Sequence, residues 1–311
     1  MHSSTAASNR DDRFHLVYIV DEANDRVLLR DFLHAQQFSS RTLTAVKHHG
    51  GLLLVNGFER NVRYRVRCGD RVDVYFPKET PKASLIQEEG PLHIVKETSS
   101  YLIVYKPPQQ ATMPSKLHPT GTLANYLAAY LAKQQVPSNV HIVTRLDVGT
   151  SGLVCVAKNR HIHHLFSEQL KNEQFHRLYE AVVDGEVPYA LPYLIDAPIA
   201  RKSTSIIERI VDPSGKSAQT IIERKKLLES KKKPLTLLQL RLLTGRTHQI
   251  RVHLRYLGYP IIGDTLYGGR ETGEPMMLHC SQLRFKDPLT KKEVTVTYPF
   301  EQSGQSLFSN D

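Results

Sequence analysis

The apolar positions change their spacing along this chain, and the changes mark its parts. Residues 1–12 are polar and read as a disordered tail, as do residues 303–311. From Asp25 the spacing is helical, with Val27, Leu28, Phe32 and Leu33 on one stripe. Ser39 and Ser40 are candidate N-caps for a second short helix over residues 41–48, since a serine hydroxyl can accept a first-turn backbone N–H. Gly50-Gly51 breaks that helix. An extended run follows through Leu52 and Leu54 to the turn signal Asn56-Gly57. Residues 62–67 predict another extended stretch, Cys68-Gly69-Asp70 a turn, and residues 72–76 an alternating strand. Residues 13–77 thus read as a small domain of two short helices and a twisted set of strands.

Residues 78–91 mix Pro, Lys, Glu, Ser and Gly and read as a linker. A second pattern starts at Leu92 and runs to about residue 302. Residues 101–105 are a strand of strong β-formers, residues 123–133 an amphipathic helix, and residues 153–157 a buried-type strand. Residues 161–171 predict a helix, with His161, His163 and His164 on its surface. Strands over 179–183 and 235–243 and a helix over 250–256 complete the pattern. Extended runs outnumber helices and do not alternate with them regularly. The expected class is α+β, with a mixed, mostly antiparallel sheet flanked by helices and loops.

A length of 311 residues accommodates two such domains. The net charge of +10 favours a polyanionic partner, because each phosphate contact releases counterions. A merely basic surface fits the charge equally. The charge is uneven: residues 201–233 hold ten Lys or Arg against four acids, a net +6. That segment reads as a strand–turn–strand arm touching phosphates, although Lys231-Lys232-Lys233 alone reads as a solvated tip. Cys68, Cys155 and Cys280 are far apart and form no Cys-x-x-Cys pair, which argues for a reducing compartment. No signal peptide or bilayer-spanning stretch is read, so the expected location is cytoplasmic and the default state a monomer.

Three segments of the second domain crowd together polar side chains that a scaffold does not need. The first is Arg145-Leu146-Asp147-Val148-Gly149-Thr150-Ser151-Gly152, entering a strand. The second is Arg177-Leu178-Tyr179. The third is Thr244-Gly245-Arg246-Thr247-His248-Gln249-Ile250-Arg251-Val252-His253, leading to Gly263-Asp264. Each has a plain structural reading when taken alone: an Asp after Leu is often a cap or turn, and a strand Tyr is more often core. His248 and His253 are five apart, not the four of a zinc-binding helix, so no metal is read. Gly149-Thr150-Ser151-Gly152 is not a nucleophile elbow, and no nucleotide-binding glycine pattern is present. A hydrolase using Cys155 or Ser151 is a rival reading. Cys155 lies in an apolar strand run, which predicts a buried, inert thiol.

Two resemblances change the weight of these segments. Ser40-Arg41, the run from Gly51 to Gly57, and Gly69-Asp70-Arg71-Val72 resemble the αL-motif RNA-binding domain named after ribosomal protein S4. The match covers residues 27–76. The catalytic segments resemble the RluA-type family of pseudouridine synthases. The hallmark of that family is Arg-Leu-Asp followed by Thr-Ser-Gly, here Arg145-Leu146-Asp147 and Thr150-Ser151-Gly152. Its second motif is a basic residue, any residue, then Tyr, here Arg177-Leu178-Tyr179. Its third runs unchanged from Gly245 to His253. Leu278-His279 and Phe285-Lys286-Asp287-Pro288 resemble its later motif. Two positions depart: Thr144 stands where the family usually has His, and Arg177 where it usually has Lys.

The resemblance implies a pseudouridine synthase fold over residues 92–302 and isomerisation of uridines in structured RNA, with no cofactor. It implies that Asp147 is the catalytic carboxylate and Arg246 its ion-pair partner. Tyr179 would stack on the uracil and is a candidate base for the C5 proton. Arg145, Thr150, Arg177, Thr247, His248, Gln249, Arg251 and Leu278 form the expected substrate-binding set. Arg30, Arg41, Lys47, Arg201 and Lys202 are the expected RNA contacts of the two basic segments. Ribosomal RNA is favoured over transfer RNA because the appended domain is common among enzymes of that class. The alternative is a non-catalytic RNA-binding or ribosome-assembly factor that kept the fold, against which the intact Asp147, Tyr179 and Arg246 set speaks.

Overall fold

The computed structural model describes residues 13–80, 83–136, 138–228 and 233–303. The two expected tails (bar residue 303 itself) and Lys231-Lys232 therefore lie outside the described residues. Among the described residues there are two large hydrophobic cores and a small third cluster of Ile199, Ala218, Val252 and Tyr267. The first is enclosed by β1 (His15–Ile19), α1 (Leu29–Ala35), α2 (Ser40–His48), β2 (Leu52–Val55), β3 (Phe58–Glu59) and β4 (Arg71–Tyr75). Its sheet is antiparallel in the order β1-β4-β2-β3. Phe32, Leu33, Phe38, Val46, Val55 and Val74 fill the space between helices and sheet. Ser39 caps α2 by accepting the Thr42 N–H at 3.0 Å, as its residue type predicts. Asn56 and Gly57 turn β2 into β3 with φ of 52° and 81°.

Two expectations in this region are corrected. The first element is a strand, β1, that precedes Asp25. It is an edge strand, half-buried, paired on one side only. Residues 62–67 form no strand. Their carbonyls cap α1 instead: Tyr64 O accepts the Leu29 N–H at 2.7 Å and Val62 O the Arg30 N–H at 3.0 Å. That explains why α1 manages without a side-chain cap at Leu28.

The second core belongs to a larger sheet. Its strands are β5 (His93–Glu97), β6 (Tyr101–Lys106), β7 (His141–Ile142), β8 (Ser151–Ala157), β9 (His176–Asp184), β10 (Tyr193–Asp196), β13 (Gln219–Leu228), β14 (Leu235–Leu242), β15 (Leu278–Lys286) and β16 (Glu293–Thr297). Between β10 and β13 the chain makes a separate pair, β11 (Ile199–Arg201) and β12 (Arg209–Val211). The main order is β10-β13-β14-β9-β15-β8-β6-β5, with β7 beside β8 and β16 beside β15. Among the described pairings only β15 with β8 is parallel. The sheet is therefore mixed and mostly antiparallel, as the strand-rich pattern predicts. The helices α3 (Leu123–Lys133), α4 (Arg160–Lys171) and α5 (Gln249–Tyr256) accompany it.

The basic segment 201–233 departs from the expected arm. β11 and β12 with the loop between them form a separate hairpin, while residues 219–228 are an interior strand of the large sheet, paired antiparallel with β10 on one side and with β14, the next strand, on the other. Nor is the stretch 78–91 a bare tether. Glu79 accepts the Arg160 N–H at 2.8 Å and pairs with His141, and Asn125 donates to Ile86 O at 2.8 Å. His161 is also corrected: it is not on a helix surface but 1% exposed. Its ring stacks on Phe38 and Phe76 of the first core, at 4.3 and 5.2 Å between centroids. The helical period alone places His161 beside the core or beside water. Packing of the first unit against α4 decides it.

Candidate active site

A cavity of about 750 Å³ opens at one end of the β8–β15–β9 region. Its wall contains Asp147, Tyr179 and Arg246, together with all eight residues expected to bind substrate: Arg145, Thr150, Arg177, Thr247, His248, Gln249, Arg251 and Leu278. Three motifs lying up to about a hundred residues apart in the chain therefore meet at one place.

The loop carrying Asp147 is fastened at several points. The Thr112 hydroxyl donates to Leu146 O at 2.6 Å and accepts the Leu146 N–H at 3.2 Å. Thr144 is buried, and its hydroxyl accepts the Cys155 N–H at 3.0 Å. Lys106 lies fully buried beneath the loop. Its ammonium donates to the carbonyls of Pro107 (2.7 Å), Gln110 (2.8 Å) and Val148 (3.3 Å). Burial pushes its pKa down to about 7, against the pull of Asp147. Sequence reading missed Lys106 and Thr112; the signal was a lysine closing a strand of otherwise apolar β-formers. Behind the loop, Gly152 meets β15 so closely that a Cβ there would sit 2.4 Å from Cys280 O, at a φ of +115°. That requirement gives the glycine of Thr-Ser-Gly its place. Ser151 donates to His279 Nδ1 at 2.8 Å, and His279 Nε2 in turn donates to Tyr298 O at 2.6 Å. Burial pushes His279 down to about 4, so this buried pair holds a neutral ring and two strands, with no free nucleophile. Cys155 is fully buried, and burial pushes its thiol up.

The cation facing Asp147 is not the expected one. Arg246 is exposed, and its Nε donates to Ser217 O at 2.8 Å. Instead Arg251 Nη1 lies 3.6 Å from Asp147 Oδ2, and His248 Nε2 lies 3.9 Å from the same oxygen. The reason is helical geometry. Arg246 precedes α5 in an irregular stretch, whereas Arg251 lies in its first two turns and is aimed inward. Arg251 is clamped from behind: its Nε and Nη2 donate to Asp264 at 2.7 and 2.8 Å, and its guanidinium sits 4.8 Å over the Tyr267 ring. That bidentate pair fixes the guanidinium with Nη1 turned toward Asp147. His248 has φ 58° at the start of α5, a left-handed turn that brings its ring to the cavity. Burial lowers its pKa, opposed by Asp147.

The remaining expected residues divide clearly. Tyr179 is 5% exposed in β9, and burial pushes its phenol up, so at neutral pH it presents an uncharged ring. Arg177 lies against Gly245, whose absent side chain makes room for it; its Nε has no hydrogen-bond partner among the described residues. Gln249 is buried with its polar atoms engaged internally. It accepts from Thr244 Oγ1 and Arg246 N and donates to Gln219 O and Thr220 Oγ1, so it braces the wall rather than reaching into the cavity. Leu278 is buried in β15, while Arg145 and Thr247 are exposed at the rim. Arg30, Arg41, Lys47 and Arg201 are exposed and do not line this cavity. Lys202 is paired with Glu208 within the β11–β12 loop. Among the described residues no helix is long and apolar enough to cross a membrane.

A family profile described as RNA pseudouridylate synthase matches residues 100–256. An uncharacterized RNA pseudouridine synthase of Bacillus subtilis, YjbO, is 40% identical over 275 residues, spanning 88% of this chain and 95% of its own. The ribosomal large subunit pseudouridine synthase D of Haemophilus ducreyi is 32% identical over 269 residues, 80% of each chain. Human RNA pseudouridylate synthase domain containing 1 superposes with a TM-score of 0.55 at 28% identity, covering 68% of this chain and 86% of its own.

Proposed function

The chain belongs to the RNA pseudouridylate synthase family and is an RNA pseudouridine synthase, an isomerase; on that premise we propose that Asp147 is its catalytic carboxylate. The observation that carries the proposal is the convergence of the three motifs on one cavity, with Asp147 opposite a clamped Arg251. The reaction breaks the bond from uracil N1 to ribose C1′, turns the base, and joins C5 to C1′. N1 gains a proton and C5 loses one, so nothing is imported and no cofactor is required. Asp147 serves either by attacking C1′ or by removing the 2′ proton. Arg251 and His248 supply positive potential beside it, and Arg246 acts from the cavity's edge. Tyr179 supplies an apolar face on which the uracil stacks. As a neutral phenol it is better suited to that than to removing the C5 proton.

The target base must leave its stack to enter, at a cost of a few kcal/mol. Arg145 at the rim is placed to hold the displaced strand. Residues 13–77 act as an S4-like RNA-binding domain, supported by the exposed Arg30, Arg41 and Lys47 on its helices. The β11–β12 loop, with Arg201 and Lys202, adds phosphate contacts near the cavity; Ile207 of that loop lines it. Structured ribosomal RNA is the favoured substrate, acted on by a monomer. Asp147→Asn is expected to abolish pseudouridine formation, read by chemical mapping, while RNA binding survives and weakens steeply with salt. Retained turnover in Asp147→Asn would sink the assignment.

A further inference from the structure

Tyr267 lies behind the cavity wall, in contact with both Arg251 and His248. It is 4% exposed, in the short 3-10 helix Thr265–Tyr267. Its ring lies under the Arg251 guanidinium, and its carbonyl accepts from Arg255 at 2.6 Å. Among the described residues its hydroxyl has two polar neighbours. One is the backbone N–H of Arg209, the first residue of β12, at 2.9 Å. The other is His248 Nδ1, also at 2.9 Å.

The hydrogens in this chain can be assigned. A backbone N–H can only donate, so the phenol oxygen accepts there. Among the described residues the hydroxyl has no other acceptor, so satisfying its own hydrogen directs it to His248 Nδ1. An imidazole that accepts at Nδ1 carries its hydrogen on Nε2. Nε2 is the atom that faces Asp147 Oδ2 at 3.9 Å. A neutral His248 thereby turns an N–H, not a lone pair, toward the carboxylate.

We infer that Tyr267 is a positioning residue that sets the tautomer of His248 toward Asp147 and ties the β11–β12 hairpin to the same hydrogen-bond chain. RNA seated on the hairpin is then registered at the carboxylate through one hydroxyl. The inference rests on the assignment of Asp147 above. The charged groups acting on His248 are Asp147 and Asp264, which favour its protonated form, and Arg251 and Arg209, which oppose it.

Tyr267→Phe tests it, because the ring over Arg251 stays and only the hydroxyl goes. Without that donor the Nδ1–H tautomer becomes available, which presents a lone pair to Asp147. Protonation restores an N–H on both nitrogens. Single-turnover pseudouridine formation by the full-length variant should therefore fall about five-fold at pH 8, the worth of one typical hydrogen bond, and the deficit should shrink toward pH 5, because burial lowers His248 and its protonation comes in only at acid pH. The RNA dissociation constant should change less than two-fold. In a His248→Gln background, which has no tautomers, Tyr267→Phe should add little further loss. A loss equal at both pH values, or fully additive with His248→Gln, would reduce Tyr267 to a packing residue. Wild-type rates in Tyr267→Phe would overturn the inference alone if Asp147→Asn is inactive. Activity in Asp147→Asn would instead overturn the assignment beneath it.

Discussion

Replacing His161 by Phe asks whether the two cores meet through a sealed, neutral imidazole. The ring stacks on Phe38 and Phe76, and neither nitrogen has a hydrogen-bond partner among the described residues. Burial pushes its pKa down to about 3, with His164 and Lys291 adding to the push. In an unfolded chain a histidine titrates near pH 6.5, within roughly half a unit. A folded pKa below the unfolded one means that the unfolded chain takes up the proton first as pH falls. The associated stability is complete above about pH 6.5 and is lost progressively down to about pH 3. Between pH 7 and pH 5 the linkage for this one group amounts to about 1.9 kcal/mol. His161→Phe keeps the stack and removes the titration. Other depressed histidines, such as His279, are present in both proteins and cancel. Urea unfolding followed by far-UV circular dichroism suits a chain with no Trp. The drop in stability from pH 7 to pH 5 should be about 2 kcal/mol smaller in the variant than in the wild type. At pH 7 the variant should be at least as stable, since no hydrogen bond is lost. Equal drops in the two proteins would refute the reasoning, because they would mean that His161 is protonated in the folded state.

Asp264→Ala should destabilise the protein by about 3–5 kcal/mol in the same urea assay, since it strands two donors of a buried guanidinium. A loss under about 1 kcal/mol would show that Arg251 finds water or another acceptor. A colorimetric thiol reagent should count one reactive cysteine, the exposed Cys68, in the folded protein and three after denaturation. Cys155 and Cys280 are buried, and burial pushes both thiols up, Cys280 to about 12. Rapid labelling of all three in the native protein would contradict that burial.

Much of the molecule is legible along the chain because the determining interactions are local. The start of α2 is written in Ser39, the β2–β3 turn in Asn56-Gly57, and α3 in its apolar spacing. Short motifs also announce a site at Asp147, since Arg145-Leu146-Asp147 and the run from Gly245 to His253 are dense in groups a scaffold does not use. What stays hidden depends on partners distant in sequence. β1 is a half-buried edge strand, and five residues show little alternation to read. Residues 62–67 look extended, yet their carbonyls cap a helix that begins more than thirty residues earlier. His161 obeys the helical period in either setting, and only the docking of Phe38 and Phe76 buries it.

The sequence by itself picked out the motif side chains that line the cavity, though not Lys106 or Thr112, because their types carry the chemistry: a carboxylate, a ring and several guanidinium groups. Only the tertiary structure decided which of them face one another. Arg246 and Arg251 are equal as letters. The first turns of α5, the Asp264 clamp and the Tyr267 ring aim Arg251 at Asp147, while Arg246 is drawn to Ser217 O. Coulomb attraction falls with distance and rises with burial, so that choice of neighbour sets the electrostatics of the carboxylate.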